Sequence, residues 1–185
     1  GNNHIVDYGE IGMLDTMDSL DDLNIRYSGA GSNEYMALLP TFWTEKGVRI
    51  GFLGLCNRTG RAWNYQPFLD AGYDKPGFAY SLPQNLASSI EYTKPLSDIV
   101  IVQTHSGNEY LTAPDTDGIA TGLPPREPRI EAMSIGPDDP VFQFRNEPSP
   151  GEQELRREAI DLGADILINH HPHVLQGFES YKGKL

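Results

Sequence analysis

Cysteine is almost absent from this chain of 185 residues. Cys56 stands alone, so no disulfide can form within the chain, and a single thiol does not reveal a redox compartment. Basic residues are scarce as well. Fourteen Lys and Arg stand against 26 Asp and Glu, a formal charge of -12, which argues against a nucleic-acid or anionic-membrane surface, since both want clustered cations. An anionic substrate stays possible, because a bound dication reverses the local field. No apolar run reaches the roughly 18 residues of a membrane span. Apolar residues make up only 38% of the chain, and 14 prolines with 19 glycines imply long ordered loops. The length nevertheless suits one domain that buries roughly two-thirds of its unfolded surface.

Histidine is scarce too, but its placement is informative. All five histidines fall in three short stretches: Gly1-Asn2-Asn3-His4, Thr104-His105-Ser106-Gly107, and Asn169-His170-His171-Pro172-His173. Neutral imidazole is the commonest protein ligand for transition metals, and an amide or carboxylate oxygen often completes such a shell. This distribution points to convergence on one metal site.

The hydrophobic pattern places these stretches on a mixed α/β framework. Ile11, Leu14, Met17, Leu20 and Leu23 recur every third position and predict a helix from about Tyr8 to Asn24. Ile25–Ser28 reads as a short strand. Two further strands, around Leu39–Glu45 and Val48–Cys56, join through a Lys46-Gly47 hairpin. Residues 57–82 lack periodicity and read as loop. A helix over Pro83–Thr93 leads to Asp98–Val102, a β-branched run suited to a strand buried on both faces. Residues 111–148 read as a loop insertion, rich in Pro, Gly, Asp and Glu. Ser149-Pro150-Gly151-Glu152 then starts a helix that turns Leu155, Ala159, Ile160 and Leu162 inward and ends at Gly163. The strand Asp165–Ile168 follows. Gly177–Tyr181 reads as another strand, with Lys182-Gly183 as its turn. The domain expected is a single one over residues 1–185, and both ends look cut from a larger unit.

Each motif also has a plain structural reading. His171 and His173, two apart across a proline after a strand, can turn both rings toward one small volume or toward two neighbouring ions. Capping and packing account poorly for three histidines in four residues. His105 at a strand end, with Gly107 letting the backbone turn, suits a ligand and a hydrogen-bonded histidine equally. Asn3 can ligate a dication and His4 can donate a proton, yet an Asn-rich turn before a helix explains both without chemistry. Asp7 reads equally as a helix-start acid. Glu109 and Tyr110 are candidates to orient a ligand or touch substrate. Arg58, Arg61, Trp63, Tyr65, Arg126 and Arg129 are weaker candidates for an anionic or polymeric substrate. Cys56 reads as a small packed residue rather than a nucleophile.

Taken in order, Asn-Asn-His, His-x-Gly-x-Glu-Tyr and His-His-Pro-His-Val-Leu-Gln-Gly resemble the CapA family of capsule-biosynthesis proteins. That family is linked to poly-γ-glutamate synthesis and belongs to the calcineurin-like metallophosphoesterase superfamily. Gly47-Val48-Arg49-Ile50-Gly51-Phe52-Leu53-Gly54 and Gly163-Ala164-Asp165 extend the resemblance over most of the chain. It implies a two-sheet sandwich flanked by helices (four-layer α/β/β/α), here incomplete at both ends, around a centre of two divalent ions, Mn, Fe or Zn. Asn3, His105, His171 and His173 would be metal ligands and His4 the proton donor to a leaving group. His170 would lie beside substrate, in a place where simpler members have glycine.

The resemblance has departures. The early Asp and His ligands of the family would precede residue 1, Ser106 stands where Trp is common, and Asn169 replaces a usual Gly. The implied partners are membrane subunits of a capsule or poly-γ-glutamate synthase and an anionic polymer or phosphoester substrate, with no nucleic acid. The implied place is the extracytoplasmic face of the cell envelope, membrane-associated in the full-length form. Two functions remain open from sequence: a metal-dependent phosphoesterase-like hydrolase, or a non-catalytic polymer- or partner-binding component of a synthesis and export complex.

Overall fold

The structure, a computed structural model, describes residues 2–57, 69–107, 152–173 and 178–185. Its main sheet has four strands in the order β2-β3-β5-β6: β2 (Thr41–Glu45), β3 (Val48–Cys56), β5 (Ile99–His105) and β6 (Ile166–His170). β2 and β3 are antiparallel, whereas β3, β5 and β6 run parallel. A second sheet pairs β1 (Ala30–Gly31) with β4 (Gly77–Phe78). Among the described residues four α-helices accompany them: α1 (Gly9–Asp22), α2 (Glu34–Leu38), α3 (Pro83–Thr93) and α4 (Glu152–Leu162). This mixed α/β architecture with two sheets agrees with the expected fold class.

Alternation along β3 divides its environment. Leu53 and Leu55 are buried with Leu86 and Ile90 of α3, Ala159 and Ile160 of α4, and Val100 and Val102 of β5. Each such large side chain contributes on the order of 2 kcal/mol by leaving water. Cys56, of opposite parity, packs with Val6, Met13 of α1, Leu69 and Phe78. It is fully buried, as its reading as a packed residue requires.

Local chemistry explains the element ends. Pro83 occupies the first turn of α3, where its missing N–H costs nothing, and Thr93 Oγ1 donates to the Ser89 carbonyl at 2.6 Å near the other end. Gly51 lies so close to Thr93 that a Cβ there would overlap its side chain, which lets β3 and α3 approach. α4 ends at Gly163, whose φ of +123° suits glycine, and Ala164 N–H reaches the Ala159 carbonyl at 2.9 Å. Lys46 (φ 50°) and Gly47 (φ 83°) make the left-handed hairpin turn expected between β2 and β3.

Several expectations need correction. α1 buries Met13, with Leu14 and Met17 partly covered, while Ile11 is 76% and Leu23 is 68% exposed. A three-residue repeat falls short of the 3.6-residue turn, so its stripe winds off the core-facing side. Residues 25–28 form no strand, and pairing begins at Ala30 instead. α2 was not anticipated: Asn33 caps it by accepting from Met36 N–H at 2.9 Å. The stretch read as loop over 57–82 contains β4. β5 is covered mainly on one face, because Ile99 and Ile101 are half-buried and Gln103 is exposed. Residues 178–180 are irregular. Only a Tyr181–Lys184 bridge forms around the Lys182-Gly183 turn, since Leu185 instead exchanges backbone hydrogen bonds with Asp165 and Leu167 beside β6. Ser149, Pro150 and the insertion at 111–148 lie outside the described residues.

Candidate functional site

Parallel register brings the histidine motifs together. Cys56 of β3 pairs with His105, and His105 pairs with His170 of β6, so adjacent strands end at one level. Carboxyl ends of parallel strands are where open α/β sheets hold their ligands. The third contribution comes from the Asn3–Val6 turn, capped by the Asn2 side chain accepting from His4 N–H at 2.9 Å.

His105 is the hub and is only 6% exposed. Its Nε2 lies 2.7 Å from Asn3 Oδ1, and its Nδ1 lies 2.7 Å from His170 Nδ1. An amide oxygen only accepts, so His105 Nε2 carries the proton, and in the neutral ring its Nδ1 accepts from His170 Nδ1–H. A chain of donors thus runs from His170 through His105 to Asn3. The His171 ring stacks obliquely on His105 at 4.7 Å between centroids, and His173 meets His171 edge-on at 5.6 Å. Desolvation of the His170 ring, packed on His105 at 4.6 Å between centroids, holds its imidazole below the ordinary value.

Backbone conformation marks the same place. His171 has φ 110° and His173 φ 58°, a region that L side chains rarely adopt. Non-glycine residues held there cost of order 1–3 kcal/mol each and concentrate at functional sites.

His4 sits at the exposed rim. Its Nδ1 lies 2.9 Å from Asp7 Oδ2, and a carboxylate only accepts, so Nδ1 carries the proton and Nε2 is the nitrogen left for chemistry. Asp7 is therefore the orienting partner of His4, a role its reading as a helix-start acid missed. The spacing of three within one turn was the available signal.

Asn169 also has a role that sequence reading missed. Its Oδ1 accepts from Thr104 Oγ1 at 2.8 Å and from Ser106 Oγ at 2.7 Å, and its Nδ2 donates to the Ser106 carbonyl at 3.2 Å. Two departures from the family pattern, Ser106 and Asn169, are thus in contact with each other.

The imidazoles of His105, His171 and His173 and the amide oxygen of Asn3 adjoin one another in series and are donors of the kind a divalent ion takes. Among the described residues, no group of three or more His, Cys, Asp or Glu side chains is arranged to hold a metal. Both ring nitrogens of His105 already have protein partners, so ligation by His105 displaces one of them. Arg58, Arg61, Trp63, Tyr65, Glu109, Tyr110, Arg126 and Arg129 lie outside the described residues.

Comparison with known proteins bears on the same motifs. The family model for Bacterial capsule synthesis protein PGA_cap matches residues 1–121 and 142–185. This chain belongs to that family. The PGA_cap match takes in all three histidine stretches, so the resemblance to CapA proteins holds at the family level.

The capsule biosynthesis protein CapA of Bacillus anthracis is 29% identical over 185 residues, covering 98% of this PGA_cap chain and 35% of its own length. The PGA biosynthesis protein CapA of Bacillus subtilis is 30% identical over 183 residues, covering 98% and 38%. The chain therefore spans little more than a third of these relatives. A solved Staphylococcus aureus structure, provisionally named a 5'-nucleotidase, covers 91% of this chain and 27% of its own at 17% identity and TM-score 0.47. No helix among the described residues is long and apolar enough to cross a membrane.

Proposed function

We propose that this chain carries part of a metal-dependent, phosphoesterase-like hydrolase site within a CapA-type protein of capsule, poly-γ-glutamate, biosynthesis. The observation that carries the reading is the meeting of Asn3, His105, His170 and His171 from segments 102 and 65 residues apart in sequence. Asn3, His105, His171 and His173 are the residues that would hold divalent ions, two in the full-length protein, with Mn, Fe and Zn all compatible with N and O donors. When bound, such ions supply Lewis-acid stabilisation of phosphoryl charge and a more acidic water.

The chain's own residues supply positioning and proton transfer. Asp7 accepts from His4 Nδ1 and fixes the ring, so an imidazolium His4 delivers its Nε2 proton to the departing oxygen. Asn3 is covalently next to His4, which couples that donor to the His105 hub. The donor set is neutral, and a charge of -12 over the chain disfavours a broad polyanion-binding face, so substrate is met at a localised site. The full-length protein is proposed to work at the extracytoplasmic face of the cell envelope, beside membrane subunits of the synthase, on an anionic polymer or phosphoester.

Elemental analysis of the full-length protein and of its His171→Ala variant tests this. About two ions per chain, reduced in the variant along with manganese-dependent phosphodiester turnover, is the expected result. Absence of metal from protein loaded with manganese or zinc sinks it. A second reading, a non-catalytic polymer- or partner-binding component, is favoured by His105, both of whose ring nitrogens already have protein partners. It predicts polyglutamate binding without turnover.

A further inference from the structure

The two ends of β5 and β6 are joined on both faces of the sheet, by different chemistry. On one face the facing pair His105–His170 shares the 2.7 Å ring contact, and on the other the facing pair Thr104–Asn169 is hydrogen-bonded. Just beyond β5, Ser106 Oγ joins the same Asn169 oxygen at 2.7 Å, and Ser106 N–H donates to the His170 carbonyl at 3.0 Å. Thr104 and Ser106 flank His105 in sequence and are 1% and 3% exposed. Their hydroxyls lie where water does not readily replace a lost partner, so the Asn169 amide is the group that satisfies them.

We propose that Asn169 is a positioning residue for the site: with Thr104 and Ser106 it forms a clasp that sets where the His105 and His170 rings stand. Asn169 uses three of the four hydrogen-bonding capacities of its amide in this clasp. Each bond ends on the residue before or after His105, so loosening the clasp leaves the strand ends at both sides of the hub held by backbone pairing alone. Rotation there moves His105 Nδ1 away from His170 and Nε2 away from Asn3. The ring geometry follows from the clasp whether or not the site binds metal; its consequence for turnover rests on the hydrolase reading above.

The test uses metal-free full-length protein carrying 15N-labelled histidine, with imidazole NMR signals as the readout. In wild type, the His170 Nδ1–H to His105 Nδ1 bond gives a deshielded ring proton, assigned by its loss in His170→Ala, which leaves the His105 Nε2–H signal in place. Asn169→Ala should abolish or broaden that signal while the melting temperature shows a folded protein. Asn169→Asp, which keeps both acceptor bonds but sets an oxygen against the Ser106 carbonyl, should restore it in part. Ser106→Ala removes one bond and should move the signal in the same direction, which covers the case in which Asn169→Ala does not fold.

An unchanged His105–His170 signal in a folded Asn169→Ala or Ser106→Ala variant overturns the clasp. A signal that responds in a protein without phosphodiester turnover leaves the clasp standing and removes the hydrolase reading instead. Where turnover is present, Asn169→Ala should lower kcat about tenfold or more with KM little changed, as misplacement of a site by about 1 Å can do.

Discussion

Asp165 and Val100 hold each other by two bonds: Val100 N–H donates to the Asp165 carboxylate at 2.9 Å, and Asp165 N–H donates to the Val100 carbonyl at 2.9 Å. One strand over, Asp98 does the same with Arg49, at 2.8 and 2.7 Å. An aspartate just before β5 and another just before β6 therefore pin each of these strands to its neighbour. The pinned register puts His105 opposite both Cys56 and His170 at the far end. A slip of one residue would send each of those side chains to the other face.

Asp165 gives a pH-dependent prediction. Burial pushes its carboxyl up, but hydrogen bonds from Lys184 and the Val100 amide, with the charges of Lys184 and Lys94, hold it below its ordinary value. A depressed folded-state value stabilises above the unfolded carboxylate pKa of about 4 and loses that contribution as pH falls through the folded value. Asp165→Ala should cost about 1 kcal/mol near pH 7, discounted for a side chain that is 35% exposed. Denaturation at several pH values should show that difference shrinking below about pH 4.

The core prediction concerns Leu53 and Ile90, which are 2% and 0% exposed and belong to one cluster between β3 and α3. Replacing either with alanine should cost about 2–5 kcal/mol, the transfer term plus a cavity term. Urea midpoints measure it, and a loss below about 1 kcal/mol would mean that the sheet and helix close over the gap.

Turn chemistry gives opposite signs at two neighbouring positions. Lys46 has φ 50° and Gly47 φ 83°, so Lys46→Asn should stabilise the β2–β3 hairpin by a few tenths of a kcal/mol. Gly47→Val should destabilise it by about 1–2 kcal/mol, since a β-branched residue tolerates that conformation poorly. Thermal melts of the two variants should move in opposite directions.

Metal binding has a readout independent of turnover. An ion that binds only the folded protein stabilises it by about 2.7 kcal/mol at one hundred times its dissociation constant. Manganese or zinc should therefore raise the melting temperature of the full-length protein and should raise that of His171→Ala much less. Equal shifts in both would place the ion elsewhere.

The sequence by itself determined the elements whose causes are local. α3 runs over Pro83–Thr93 as its proline start and apolar spacing required, and β3 runs over Val48–Cys56 as its apolar run and the Lys46-Gly47 turn required. The gathering of all histidines into three motifs was also legible, because composition and spacing are properties of the chain. Tertiary structure decided which face of α1 is buried, since the helix pitch and the partners of Met13 outweigh a count of every third residue. It also decided that Asn169 reaches Thr104 and Ser106 across 65 and 63 residues, a contact that exists only once β5 and β6 pair in register. Long-range side-chain chemistry of this kind depends on sheet pairing, which no local pattern in the chain encodes.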